Sequence, residues 1–128
     1  MIQAELEQRI EEIELALAGI FESPKAPGVS SYDEGTRLFI QLSWVVESHR
    51  DTSLDARCVV TIAFSKPQIS RYAAMDTVQR KAFQERLSAW VRAQFGERQS
   101  PPELQGDCAV ELDAHDGLFD VPQAPPSY

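Results

Sequence analysis

No stretch of this chain approaches the roughly 20 consecutive apolar residues that a membrane-crossing helix needs. The segment from Met1 to Ser23 has neither a basic start nor the uninterrupted apolar run of a secretory leader. Basic residues are in the minority: twelve Lys and Arg stand against twenty Asp and Glu, a formal net charge of −8. That balance favours solubility and opposes general binding to nucleic-acid phosphates or anionic lipid. The reading is of a cytoplasmic protein with no nucleic-acid and no membrane partner. Glycine-rich phosphate loops are missing too, since neither GxGxxG nor GxxxxGK occurs. No CxxC or HExxH spacing stands behind a zinc site, so no cofactor and no metal is expected. The only cysteines, Cys58 and Cys108, each lie in alternating apolar sequence, where a thiol usually behaves as a small hydrophobe.

What is present reads as one α+β domain over residues 1–121, followed by a proline-rich tail, 122–128. A domain of this length buries roughly two thirds of the surface of its unfolded chain and needs neither disulfides nor a metal to fold. Leu6, Ile10, Ile13, Leu17 and Ile20 recur at gaps of four and three, predicting a helix over Ile2–Glu22 with Phe21 at the edge of its stripe and glutamates elsewhere. Ser23-Pro24 and Pro27 end it. A polar loop, Val29–Gly35, then leads to two alternating segments, Arg37–Glu47 and Ala56–Ser65, which should pair antiparallel. Gln68–Met75 reads as a short helix or turn, and Asp76 with Gln79 as a capping signal for a helix over Thr77–Phe95 with Phe83, Leu87, Trp90 and Val91 inward. After a linker, Gln99–Gly106, a third strand follows at Asp107–Ala114.

The order α-β-β-α-β implies a three-stranded mixed sheet with two helices packed on one face. A right-handed crossover into a parallel third strand puts the first strand in the centre, order 2-1-3. In that order Cys58 and Cys108 are separated by a strand, beyond the roughly 7 Å reach of a disulfide, and are expected as two free thiols. The stretches Asp51-Thr52-Ser53-Leu54-Asp55-Ala56-Arg57-Cys58 and Arg71-Tyr72-Ala73-Ala74-Met75-Asp76-Thr77 resemble those of a small uncharacterised proteobacterial family of unknown function. The resemblance implies a bacterial cytosolic origin and carries over no activity and no site residue.

Three polar groupings compete for a role. His49, Arg50 and Asp51, between Glu47 and Asp55, set a histidine among carboxylates as a candidate acid or base, with arginine for an anionic substrate. Loops between strands are charged simply because they face water, so this enzyme or ligand-binding reading is the alternative. His115 between Asp113 and Asp116 reads as a solvated turn rather than a metal site. Arg71, Arg80, Lys81, Arg86, Arg92 and Arg98 concentrate positive charge on the second helical region, as an anion-binding surface or, as we favour, a solvated face beside the acidic first helix. The leading reading rests on the other side of the sheet. With both helices on one face, Phe39, Val45, Val59 and Ala63, with Ala109, are left on the other, and such a patch is commonly an interface. A non-enzymatic interaction or scaffold domain forming a homodimer through this open face is expected. Coverage by the tail, with Leu118, Phe119, Val121 and Tyr128, is the competing account.

Overall fold

The alternation of Arg37–Glu47 and Ala56–Ser65 is realised as two long antiparallel strands inside a four-stranded sheet. The computed structural model describes residues 3–21, 27–47, 56–98 and 108–121. Along the chain these form α1 (Gln3–Leu17), β1 (Gly28–Asp33), β2 (Arg37–Glu47), β3 (Ala56–Ser65), α2 (Lys66–Ala73), α3 (Thr77–Arg98) and β4 (Cys108–Asp113), followed by a 3-10 turn at Asp116–Phe119. The architecture is α+β, with one more strand and one more helix than the periodicity announces.

The added strand is β1, which lies where a polar loop was expected. Five of its six residues are exposed, so it carries no alternation. Backbone pairing holds it antiparallel to β2, from Gly28 opposite Ser43 to Asp33 opposite Leu38. The turn between them is short. Asp33 Oδ1 accepts from the Gly35 amide at 2.7 Å, and Gly35 adopts φ 88°, a conformation that glycine takes at little cost.

This hairpin decides the sheet order. Short loops close with little entropic loss, and β1 therefore fills the edge of β2 that the 2-1-3 arrangement reserved for the last strand. β4 pairs parallel to β3 instead, and the order is β1-β2-β3-β4. The expected separation of the cysteines fails with it. Cys58 and Cys108 stand opposite each other in the β3/β4 register, Cys58 is disulfide-bonded, and among the described residues no cysteine is free. Adjacent strands lie about 4.8 Å apart, inside disulfide range. Closing a loop of about 50 residues removes unfolded-state entropy worth roughly 4 kcal/mol.

The described helices all cover one face of the sheet. Leu38, Ile40, Leu42 and Trp44 of β2, with Val60, Ile62 and Phe64 of β3 and Val110 and Leu112 of β4, meet Ile13 and Leu17 of α1, Tyr72 of α2, and Phe83, Leu87 and Val91 of α3. Each such side chain, fully buried, contributes roughly 1.5–3 kcal/mol before chain entropy is counted. α1 stops at Leu17, five residues short of the expected end, but Ile20 and Phe21 still reach the core. Phe21 stacks on Trp44 at 4.1 Å between ring centroids and meets Phe95 edge-on at 5.0 Å.

α2 begins two residues before the expected Gln68, because Ser65 caps it. The Ser65 hydroxyl accepts from the Gln68 amide at 3.2 Å, and the Gln68 side chain accepts from the Ser65 amide at 2.9 Å. Pro67 falls in the first turn, where a missing N–H costs nothing. Ser65→Ala is expected to lower unfolding free energy by about 1 kcal/mol without changing the urea slope; a loss below about 0.3 kcal/mol would show that this cap contributes little. The Asp76 and Gln79 capping pair forms as the sequence indicates, at 2.7 and 3.1 Å.

Candidate functional site

The strand pleat sends the alternate residues of the sheet to the face opposite the helices. Across the strands they form rows: Tyr32, Phe39, Ala63 and Asp113; Ser30, Gln41, Thr61 and Glu111; Gly28, Ser43, Val59 and Ala109; and Val45 beside Arg57. A polar row thus runs between two more apolar ones, and the Gln41 amide donates to the Thr61 hydroxyl at 3.4 Å within it.

The apolar part is smaller than the sequence suggests. Of the four expected interface residues, Val45 is 4% and Ala63 5% exposed, while Phe39 and Val59 are half-buried. Phe39 stacks against Tyr32, which β1 supplies, at 5.0 Å between centroids and 14° between planes. Arg37 lies over the Phe39 ring at 5.8 Å and reaches across β3 to Asp113 Oδ1 at 2.5 Å. The result is a ledge: two stacked rings flanked by an ion pair, with Tyr32 among the most exposed large apolar side chains of the described residues. Tyr32 was missed because its segment shows no strand periodicity.

The other sequence candidates fare differently. His49, Arg50 and Asp51 lie outside the described residues. Asp113 points to the back of the sheet toward Arg37, whereas Asp116 accepts from Gln68 Nε2 at 3.0 Å and His115 meets Trp90 edge-on at 5.7 Å. The three side chains are drawn apart, and among the described residues no cluster of three His, Cys, Asp or Glu can hold a metal. The basic set is also dispersed. Arg71 pairs with Asp120, whose carboxyl it holds below the usual carboxylate range, and Arg86 donates to the Asp120 carbonyl at 3.1 Å. Arg80 turns inward toward Glu12 and the Met75 carbonyl. Lys81 and Arg92 remain exposed along with Glu85, as a solvated face should be.

One polar node escaped the sequence altogether. Glu12 Oε1 accepts from the fully buried Tyr72 hydroxyl at 2.9 Å and lies 3.4 Å from Arg80 Nε, and its Oε2 accepts from Arg9 at 2.7 Å. Gln84 donates to the same hydroxyl at 2.8 Å. Burial pushes the Tyr72 phenol up to about 12, with the Glu12 carboxylate adding to the rise and the Gln84 bond opposing it. The node joins α1, α2 and α3. Nothing in the spacing of Arg9 and Glu12 separates them from the exposed charges around them.

The model of a family described as a protein of unknown function, DUF3022, matches residues 10–113. The chain belongs to the DUF3022 family. The two stretches quoted for the resemblance lie inside the matched region, which contains the sheet, α2, α3 and the second half of α1. Comparison with curated proteins and with solved structures finds no match. Among the described residues of this DUF3022 member, no helix is long and apolar enough to cross a membrane.

Proposed function

We propose that this chain is a non-enzymatic interaction domain that pairs with a second copy of itself through the back of its sheet. The observation that carries the reading is the Tyr32 and Phe39 ledge, with Val59 two rows away, on the one sheet face to which no described helix is applied. Aromatic side chains beside small and polar ones suit a two-fold contact, in which the same patch serves both copies. The acidic charge of −8 favours a soluble setting, and we place the chain in the bacterial cytoplasm, where a disulfide is ordinarily a transient, redox-set bond.

Light scattering tests the pairing. At about 100 μM, where a contact of micromolar affinity is nearly saturated, the dimer mass is expected, and Phe39→Asp should return the monomer mass because a carboxylate would be desolvated in the contact. A wild-type chain that stays monomeric at that concentration removes the proposal.

A further inference from the structure

We infer that the Cys58 disulfide is a redox-set staple on one end of β4, so that the docking of this end follows the thiol–disulfide state of the surroundings. The inference stands apart from the dimer and leans on the cytoplasmic reading only for the source of reductant.

The two ends of β4 are held differently. Among the described residues it is an edge strand, paired only with β3, and the Cys58 and Cys108 pair is the first rung of that ladder. At the far end many contacts act together. Leu112, Leu118 and Phe119 are buried, the Ala114 amide donates to the Ala63 carbonyl at 2.9 Å, and Asp113 pairs with Arg37. At the near end the next residue, Ala109, is exposed, and Val110 is the first buried apolar anchor. Strand ends are the first part of a sheet to fray, and the covalent bond sits at the end away from the far-end contacts. Opening it frees the near end while the far end stays anchored.

Cys58 is 5% exposed in the helix-covered core, so reduction leaves a thiol in surroundings that suit a small hydrophobe. A dithiol reductant supplies the chemistry. Its thiolate attacks the disulfide to form a mixed disulfide, and its second thiol resolves that bond. Two electrons and two protons pass to the protein, which gains two thiols, and the reductant closes to its own disulfide.

The test uses the full chain. Before reduction, a thiol reagent in guanidinium should titrate no free cysteine; after native incubation with dithiothreitol it should titrate two. The reduced chain should melt roughly 10–15 °C lower, from the loop entropy released and the size of the domain. Amide exchange at Ala109 and Val110 should quicken by at least about 10-fold more than at Leu112 and Asp113. Cys108→Ala should reproduce the reduced state, and the reduced wild type carries the measurement if that variant does not fold. Two thiols before reduction, none after native reduction, an unchanged melting temperature, or equal quickening along all of β4 would each overturn the inference. Light scattering on the same samples reads the dimer separately: a monomer in both states removes the pairing and leaves the staple standing.

Discussion

Glu12→Ala is expected to lower unfolding free energy by about 3 kcal/mol, at the lower end of the range for breaking a buried ion pair because the groups are not wholly enclosed. The side chains of Glu12, Arg9 and Arg80 are 29%, 17% and 13% exposed. Removing the carboxylate leaves two guanidinium groups close together and takes an acceptor from the buried Tyr72 hydroxyl. Arg9 already has a buried Nε without a partner, so this site has little capacity to re-pair. Urea unfolding with an unchanged slope would measure the loss; a value below about 1 kcal/mol, the scale of an exposed pair, would show the node to be solvated.

The same node sets an alkaline limit. Tyr72 has a folded pKa of about 12 against 10.0 for the free phenol. Its contribution to stability is therefore fully present below pH 10 and is lost as pH rises through 12, in total about 2–3 kcal/mol. In Tyr72→Phe this part of the alkaline loss should vanish, and a melt series over that window in which both chains decline alike would contradict the assignment.

Phe119→Ala should cost about 3–5 kcal/mol, the range for deleting a buried aromatic ring. Phe119 is 1% exposed, stacks on Phe83 at 4.5 Å between centroids and meets Phe64 edge-on at 6.4 Å. It lies beyond Asp113, where the family match ends, yet it closes the core between α3 and β3. Leu118 and Val121 pack on this helix side as well, so these residues do not cover the back of the sheet as the tail account supposed; Tyr128 lies outside the described residues. Arg71 and Arg86 hold the turn from outside through Asp120. Chemical denaturation of the variant checks the ring's contribution, and a loss under about 1 kcal/mol would mean that the turn is not docked in solution.

Much of the candidate surface was legible as a face. Phe39, Val45, Val59 and Ala63 share one side because strand residues alternate, a property of the chain that needs no partner. How far they are exposed was not legible. Arg37 folds over Phe39 toward Asp113, 76 positions along the chain, and Tyr32 arrives from a segment whose residues are almost all polar or small. Arg80 illustrates the same limit. Its place on α3 marks it as one of a run of basic residues, but its direction depends on Glu12 of another helix.

The elements whose signal is local could be read from the chain alone: β2, β3 and β4 from their alternation, the buried stripe of α1, and α3 from its capping pair and inward aromatics. Those patterns follow from backbone geometry and burial within a few residues of chain. Long-range pairing settles that β1 exists, that β4 takes the edge of β3 and not of β2, and hence that Cys58 finds a bonding partner. Each of these depends on which sheet edge is already filled. A strand placed mainly by backbone pairing, with five of its six residues exposed, leaves no hydrophobic period to announce that it has filled one.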